Sequence, residues 1–408
     1  MLISVSYYNT MKILIPEDVL RIMHVLRENG HECYIVGGAV RSALLGLPVH
    51  DYDLTTDAMP ERMQEVFASF KTIPTGLKHG TLTVLSGVRP IEITTYRTDG
   101  DYTDHRHPAS VKFSSSVKQD CARRDFTVNA LCYAEETGIL DFFGGIEDLN
   151  SHILRAIGIP EERFDEDALR ILRALRFSAR LNFTIEEKTA SALHAKKDLL
   201  AFISAERIRE EINGLFDAQS GPCIMKQYRD IFEVFLPEIK TLTDQQWQKM
   251  TDEMYRCPAS YITRMASLLH MITDRPKTVL QRLKYSNEEI RRITALIASV
   301  DMPVHDRTDI RRIRGLLEEQ TMDALAMRKA ADPDCDIETA QRLYQEILDQ
   351  NLCCSLKELA VNGKDMLEAG LKGPDVRRAL QACLEEVITD RLPNEKEALM
   401  NFVHQSFF

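Results

Sequence analysis

Two short motifs near the start of the chain carry residue types suited to phosphate chemistry. Gly37 and Gly38 open the run Gly-Gly-Ala-Val-Arg, and a glycine pair that begins a short helix offers backbone N–H groups to phosphates. Asp51 and Asp53 follow in the run Asp-Tyr-Asp, so on a strand their side chains point to the same face. Paired carboxylates supply the oxygen ligands that Mg²⁺ prefers. The combination indicates transfer of a nucleotidyl group.

The segment 50–54 has the composition of a buried strand, where unpaired carboxylates are costly unless a metal compensates them. This favours a metal site over two solvated acids. Glu92 lies in a second apolar strand-like run at 90–97. If the two strands are neighbours, Glu92 completes a site of three carboxylates. A lone strand glutamate that faces water is the alternative.

Two further clusters combine arginine with acid or amide side chains. Arg124, Asp125 and Asn129 stand in the run Arg-Arg-Asp-Phe-Thr-Val-Asn-Ala and can hold triphosphate oxygens and a ribose hydroxyl. A structural ion pair at a helix start is the alternative. Asp167 and Arg170 stand in Glu-Asp-Ala-Leu-Arg, at the start of an arginine-rich helix, and the i, i+3 spacing puts them on one face. Here the alternative is an intrahelical salt bridge.

The elements that position these residues change character along the chain. Short β-branched or aromatic runs predict strands at 35–36, 49–55, 82–85, 91–96 and 111–113, with helices at 17–28 and 60–67. The polar segment 97–108 predicts a mobile loop, and Asp141-Phe-Phe-Gly-Gly predicts a tight turn. Beyond residue 160, helical apolar spacing dominates at 165–181, 185–197 and 205–216, and Ser286 to Glu289 is a candidate capping box.

This pattern predicts an α+β protein: a small head with a mixed β-sheet, followed by an all-helical remainder. The expected domains are a head at 1–150, a helical neck at 151–225 and a helical body and tail at 226–408. Met11 is as good a start as Met1, so the first ten residues are expected to be a disordered or misassigned leader.

Composition excludes several classes of protein. No apolar run approaches the length of a membrane span, and the N-terminus lacks the features of a signal peptide, so a soluble cytoplasmic protein is expected. The nine cysteines form no Cys-x-x-Cys motif, which favours reduced thiols over a zinc site or disulfides. The net charge of −11 is unfavourable for a nucleic-acid partner. Arginines nevertheless cluster at 151–180 and 307–314, as a local basic stripe would require.

The four motifs above, together with Asp141-Phe-Phe-Gly-Gly and Glu206-Arg-Ile-Arg-Glu210, occur in order across about residues 30–220. They resemble motifs A to E of the class II tRNA nucleotidyltransferase and bacterial poly(A) polymerase family. Each motif is modest alone, but the ordered series is specific. The second half of the chain is similar only in being helical.

The resemblance implies a role for each matched position. Asp51 and Asp53 would bind two Mg²⁺, with Glu92 beside them in the catalytic set. A second group would bind the nucleotide: Gly37, Gly38 and Arg41 on the triphosphate, Arg124, Asp125 and Asn129 on ribose and phosphate, Asp167 and Arg170 as an amino-acid template for the base, and Arg173 and Arg176 on the same helix.

The implied activity is template-independent addition of CCA to the acceptor end of tRNA from CTP and ATP, with release of pyrophosphate. Asp accepts from the exocyclic amine of C or A and Arg donates to the adjacent ring nitrogen, whereas U and G present the reverse pattern. This mismatch should cost on the order of 1–4 kcal/mol. The helical half would hold the tRNA through shape and backbone contacts. The oligomeric state stays open.

Other activities of the same family are weighed by sequence features. A complete segment at 97–108 disfavours an enzyme that stops after CC, and the acidic charge with the weakly basic segment 74–81 disfavours a poly(A) polymerase. Addition of A alone stays open, as does a non-catalytic RNA-binding protein. Met271 follows His270 where a phosphohydrolase dyad needs aspartate, so no such activity is expected and His270 is an ordinary core or helix-face residue.

Overall fold

The computed structural model of the chain describes residues 12–74, 76–99 and 111–408. Within that part the chain forms two compact units. The first runs to Glu211 and includes Gln227–Pro237, and the second comprises Ile212–Lys226 and Glu238–Phe408. This division differs from the expected boundaries at 150 and 225, and the three-part division into head, neck and body stays a prediction. In the described ranges, every helix is too short or too polar to cross a lipid bilayer.

The first unit is built on a seven-stranded mixed sheet. Its strands are β1 (Cys33–Val36), β2 (Asp53–Thr56), β3 (Lys71–Ile73), β4 (Thr81–Leu85), β5 (Pro90–Thr95), β8 (Cys132–Ala134) and β9 (Gly138–Leu140). Their order is β3-β4-β5-β2-β1-β8-β9. Among the strand pairs of this sheet, β2 and β5 run parallel and the others are antiparallel. Short ribbons join β6 (Arg97–Asp99) to β7 (Val111–Phe113), and β10 (Ile153–Leu154) to β11 (Thr184–Ile185).

Helices pack around this sheet and then replace it. The helices up to the end of the first unit's main segment are α1 (Glu17–Glu28), α2 (Gly38–Leu44), α3 (Pro60–Val66), α4 (Val117–Ala122), α5 (Gly145–Asn150), α6 (Pro160–Glu166), α7 (Leu169–Leu181), α8 (Glu187–Lys196) and α9 (Ala205–Phe216). The amphipathic α1 buries Val19, Ile22, Met23 and Leu26 in the core beneath the sheet. Because those positions recur at helical spacing, one face of α1 is apolar.

The remaining chain is helical in all its regular structure. It contains α10 (Gly221–Gln227), α11 (Arg229–Phe235), α12 (Asp244–Arg256), α13 (Tyr261–Ile272), α14 (Pro276–Arg282), α15 (Asn287–Ser299), α16 (Arg307–Leu317), α17 (Thr321–Ala331), α18 (Glu338–Asp349), α19 (Gly363–Glu368), α20 (Pro374–Ile388) and α21 (Lys396–Phe407), together with short 3₁₀ turns. The expected capping box of Ser286 and Glu289 begins α15. His270 is exposed near the end of α13, on the helix face.

The α+β fold class is confirmed, and several element bounds agree with those expected from the sequence. The helices at 17–28 and 205–216 occur with those bounds. The segment 97–108, expected as a loop, begins with strand β6, while residues 100–108 and the leader lie outside the described residues. Strands β3, β8 and β9, of three residues each, were not predicted from the sequence.

Candidate active site

A cavity of about 620 Å³ opens on the first unit, and residues from separate parts of the sequence line it. Every predicted site residue except Glu92 lies on its wall: Gly37, Gly38, Arg41, Asp51, Asp53, Arg124, Asp125, Asn129, Asp167, Arg170, Arg173 and Arg176. The wall also holds residues for which the sequence suggested no role, namely Arg123, Phe177, Arg180 and Arg207. Positive charge therefore dominates the cavity, as binding of a polyphosphate requires.

The glycine turn lies where β1 ends and α2 begins. Gly37 has a φ of 74°, a conformation that glycine adopts without strain, and its N–H donates to the Leu131 carbonyl over 3.2 Å. A Cβ at this position would lie 3.4 Å from Nη1 of Arg124 and 3.7 Å from the Asn129 carbonyl oxygen. Both distances are ordinary van der Waals contacts, so the positive φ, and not a lack of space, is what favours glycine at this turn.

The two aspartates occupy one exposed face at the start of β2. Tyr52 and Leu54 are buried, whereas Asp51 and Asp53 are exposed, because successive side chains alternate between core and cavity. Two expectations need correction. The strand begins at Asp53 and not at residue 49, and the two aspartate side chains are exposed although the rest of β2 is buried. Alternation places their apolar neighbours in the core and turns the carboxylates toward the cavity, so their charges are only partly buried.

The aspartate pair nevertheless fits a divalent cation. Partial burial in the cavity raises the pKa of Asp53, the Glu92 and Asp51 carboxylates raise it further, and Arg124 opposes them. Over the described part of the chain, neither aspartate carboxylate has a hydrogen bond or ion pair, so their oxygens are available. A cation would relieve this concentration of negative charge, and carboxylate oxygens are the donors that hard divalent ions prefer.

Glu92 is adjacent to this pair but outside the cavity wall. The parallel register of β2 and β5 pairs Asp53 directly with Glu92, as the sequence reasoning required. The side chain of Glu92 is exposed, and the described residues contain no cluster of three or more His, Cys, Asp or Glu side chains placed to hold one ion. Its part in catalysis stays a prediction.

Asp125 is a charged hub of the cavity. Its Oδ2 accepts from Nε of Arg173 over 2.8 Å, and its Oδ1 accepts from the Phe126 N–H at 2.8 Å and from Nδ2 of Asn129 at 3.0 Å. Burial alone would raise the pKa of Asp125, but Arg173 and the bond from Asn129 lower it to about 2. Asn129 also accepts from Arg41 through Oδ1. Asp125 therefore holds Arg173 and Asn129 directly, and Asn129 in turn holds Arg41.

A single aromatic ring contacts three of the arginines that line the cavity. The guanidinium carbons of Arg41, Arg173 and Arg176 lie 5.1, 5.2 and 4.3 Å from the ring centroid of Phe177. Such cation–π contacts hold guanidinium groups in place while their edges stay free to donate. Burial lowers the pKa of Arg41 to about 10, helped by Arg180, although Asp125 opposes the shift. Within the described part of the chain, the buried Nε of Arg41 has no hydrogen-bond partner.

Asp167 and Arg170 both line the cavity, but they do not share a helix face as expected. Asp167 has φ −136° and ψ 101°, which ends α6, and α7 starts only at Leu169. The predicted helix at 165–181 is therefore interrupted, because Asp167 uses its side chain to cap the amide of Leu169 over 3.1 Å. The expected helix at 185–197 starts at Glu187.

The partners of these two side chains come from elsewhere. Asp167 accepts from Arg207 of α9 over 2.9 Å, and Arg170 donates to Glu166 at 2.6 Å and to the carbonyl of Arg123 at 2.8 Å. An intrahelical bridge between Asp167 and Arg170 is thereby excluded. Both groups are held firmly at the cavity wall.

Supporting residues that the sequence did not single out complete the site. Asp120 is fully buried and binds Arg123 at 2.7 Å and Arg124 at 3.2 Å, and these arginines lower its pKa despite burial, which acts in the opposite direction. Glu211 accepts from Arg176 over 2.5 Å. Spacing gives only weak signals for them, since Asp120 stands four residues before Arg124 and Glu211 directly follows Glu206-Arg-Ile-Arg-Glu210.

A mixed sheet that presents two aspartates to an arginine-lined cavity, beside a glycine turn, defines the head of a nucleotidyltransferase. Comparison with protein families agrees. Residues 33–155 match the poly A polymerase head domain, residues 182–242 match the family described as "Probable RNA and SrmB- binding site of polymerase A", and residues 256–403 match tRNA nucleotidyltransferase domain 2.

Relatives that match almost the whole length of the chain show which nucleotidyltransferases it is similar to. The chain is 35% identical over 396 residues to the CCA-adding enzyme of Streptococcus thermophilus, covering 95% of this chain and 96% of that protein. It is 33% identical to the Bacillus cytotoxicus CCA-adding enzyme, with coverage of 94% and 97%. A crystal structure of the Bacillus stearothermophilus CCA-adding enzyme in complex with CTP is 30% identical and superimposes with a TM-score of 0.80, over 96% of this chain and 98% of the other.

This chain therefore belongs to the family of CCA-adding enzymes, the tRNA nucleotidyltransferases. A more distant structure, the Thermotoga maritima CCA-adding enzyme complexed with tRNA_CCA, shares the fold with a TM-score of 0.65 at 21% identity, over 98% of each chain. Nucleotidyltransferases of this family generally use a divalent metal ion.

Proposed function

We propose that this protein adds CCA to the 3′ end of tRNA, using CTP and ATP and releasing pyrophosphate. The observation that carries the proposal is the cavity itself. Its lining combines a pair of available carboxylates, Asp51 and Asp53, with the arginines around Phe177. In the reaction, the 3′-hydroxyl oxygen bonds to the α-phosphorus, the α–β phosphoanhydride bond breaks, and the hydroxyl proton is lost.

Asp51 and Asp53 would hold the divalent ion, and we propose that it is Mg²⁺. When bound, it supplies Lewis-acid stabilisation of the phosphate oxygens and of the attacking hydroxyl. The protein's own contribution is to hold the nucleotide in position. Gly37 and Gly38 allow the triphosphate to approach the backbone, while the buried Arg41 and the half-buried Arg124 donate to its oxygens. Such preorganised donors cost no rearrangement during the reaction.

Selection of C and A would fall to Asp167 and Arg170. The Asp167 carboxylate is held by Arg207 at 2.9 Å, which leaves further lone pairs for the exocyclic amine of the base. Arg170 is held by Glu166 at 2.6 Å and can donate to the neighbouring ring nitrogen. Because the protein side chains Arg207 and Glu166 hold them in place, Asp167 and Arg170 would present a fixed hydrogen-bond pattern that U and G fail to match.

The proposed partner is the acceptor end of tRNA, bound by the helical second half of the chain, and the proposed compartment is the cytoplasm. Asp125 and Asn129 complete the ribose and phosphate contacts, and Arg173 and Arg176 complete the nucleotide-binding set. Arg173 is held by Asp125 at 2.8 Å and Arg176 by Glu211 at 2.5 Å, so both are ordered before the nucleotide binds.

The decisive experiment measures incorporation of each labelled nucleotide, with Mg²⁺, into tRNAs that end before CCA, after C and after CC. Two C followed by one A is the expected result. Addition of A alone, only to the CC-ended tRNA, would instead make the protein an A-adding enzyme. Long A tracts on any RNA would make it a poly(A) polymerase, and no incorporation would support a non-catalytic RNA-binding protein.

Two variants test the assigned roles. Asp53→Ala should abolish incorporation and leave tRNA binding nearly unchanged, because it removes a metal ligand and no RNA contact. Retained turnover would reject the metal assignment.

Arg170→Ala should relax the choice of base more than it lowers total incorporation. Unchanged selectivity for C and A over U and G would reject the template role, and the exposed Arg62→Gln serves as control for both.

A further inference from the structure

The arginines along α7 differ in how their charges are balanced. Arg173 is neutralised by Asp125 at 2.8 Å, and Arg176 by Glu211 at 2.5 Å. Arg180 lies one turn further along the same face, is exposed at the cavity wall, and has no ion pair or hydrogen bond with any residue in the described ranges. Its positive charge therefore stays uncompensated within the cavity.

Arg41 provides a second, independent sign that an anion belongs at this end. Its side chain is only 6% exposed and its nearest hydrogen-bond acceptor is the neutral amide of Asn129. Its buried Nε has no hydrogen-bond partner among the described residues. The guanidinium of Arg180 is close enough to disfavour the charge on Arg41. Two positive groups that repel each other, one of them with an unused buried donor, are stabilised by a shared anion.

The order of residues along α7 indicates which anion this is. Arg170, which belongs to the proposed base-selecting pair, lies at the first turn of α7, and Arg180 lies at its last. At a rise of about 1.5 Å per residue, the two positions are separated by roughly 15 Å along the axis. If a nucleotide lies along α7 with its base at Arg170, its triphosphate reaches toward Arg180 and toward Arg41, which contacts Phe177 of the same helix. Of its parts, the terminal phosphates extend furthest from the base.

We propose that Arg180 is a further phosphate-binding residue, which together with Arg41 binds the terminal phosphates of the nucleotide and the inorganic pyrophosphate released from it. This inference rests on the proposed function, since it takes the orientation of the nucleotide from it. Because Arg180 is exposed and makes no ion pair in the described structure, its replacement removes a ligand contact and leaves the fold intact. A phosphate of the tRNA backbone is the competing occupant.

The test compares Arg180→Gln and Arg180→Lys with the unchanged full-length chain, using calorimetric binding of inorganic pyrophosphate, CTP and CMP in the presence of Mg²⁺. Arg180→Gln should weaken binding of pyrophosphate and CTP by about fivefold, the scale of one charge-assisted hydrogen bond at a partly exposed site. Binding of CMP, which lacks the terminal phosphates, should not change. Arg180→Lys should retain most of the affinity, and Arg62→Gln should behave as the unchanged chain.

The outcomes separate this proposal from the function on which it rests. Unchanged pyrophosphate binding by Arg180→Gln, or an equal loss for CMP and CTP, would overturn the role of Arg180. The same variants are also titrated with tRNA, and a loss confined to tRNA binding would overturn the proposal as well and assign Arg180 to the RNA backbone. If the unchanged chain incorporates C and A while Arg180→Gln binds pyrophosphate normally, only the proposal about Arg180 fails. If the unchanged chain incorporates no nucleotide, the proposed function fails.

Discussion

Replacing Asp125 by asparagine removes one negative charge from the hub of the cavity with almost no change in shape. Asparagine can still accept from the Phe126 N–H through its oxygen, but its NH₂ group would face Nε of Arg173, which now donates to Oδ2 over 2.8 Å. Arg173, Arg170 and Arg41 would then lose a shared counter-charge. A buried cation that loses its partner is destabilising, so the folded protein should be weakened.

The size of the effect follows from the pKa. The folded protein lowers the pKa of Asp125 from 3.8 to about 2, and each unit corresponds to about 1.4 kcal/mol, so the ionised carboxylate contributes on the order of 2 kcal/mol. A group with a depressed pKa contributes its stability above the unfolded value of 3.8 and loses it as the pH falls toward 2. The deficit of Asp125→Asn should therefore be about 2 kcal/mol at pH 7 and roughly 1 kcal/mol at pH 3.

Urea unfolding followed by circular dichroism at pH 7 and pH 3 measures this difference directly. Glu61→Gln, an exposed carboxylate on α3 of the same unit, provides the matched control and should show almost no loss at either pH. Equal stability of Asp125→Asn and the unchanged chain at pH 7 would refute the reasoning. A deficit that is the same size at both pH values would also refute it, since the loss would then come from packing and not from charge.

Three other perturbations test separate parts of the structure. Phe177→Leu removes the ring that supports three guanidinium groups, so the KM for CTP should rise about fivefold with a smaller change in kcat; an unchanged KM would mean that the ring does not position them. Gly145→Ala would put Cβ 2.4 Å from the Thr127 carbonyl oxygen. The resulting overpacking should cost about 2 kcal/mol and lower the Tm by on the order of 5 °C, and a calorimetric scan without a shift would contradict this. Burial raises the pKa of the Cys33 thiol to about 12, so Cys33 should resist alkylation in the native protein at pH 8, whereas the exposed Cys223 should react readily. Peptide mass spectrometry measures both modifications, and equal labelling of the two cysteines would contradict this prediction.

Elements with a strong local pattern were predictable from the sequence. The helix Glu17–Glu28 has an apolar stripe at helical spacing, and the capping box of Ser286 and Glu289 is a local exchange of hydrogen bonds, so both occur as expected. The short strands β3, β8 and β9 were missed because three residues carry no resolvable periodicity, and only pairing with neighbouring strands makes them regular.

Most of the predicted site residues line one cavity, but the hydrogen bonds and ion pairs among them were not predicted from the sequence. Asp167 and Arg170, which were expected to share one helix face, are held separately by Arg207 and Glu166. Spacing along a helix assumes that the helix continues, and it fails where a side chain caps a backbone N–H, as Asp167 does. The roles of the predicted site residues stay predictions until the variants above are measured.

The sequence by itself determined the chemical inventory of this protein. The Asp-Tyr-Asp alternation, the glycine pair and the arginine spacing of α7 are local patterns that fix which groups face the same way. The tertiary structure alone decided which charges neutralise one another. Asp125 with Arg173, and Glu211 with Arg176, are 48 and 35 residues apart and meet only because the chain folds back on itself. Electrostatic pairing depends on distance in space, and sequence separation carries no information about that distance.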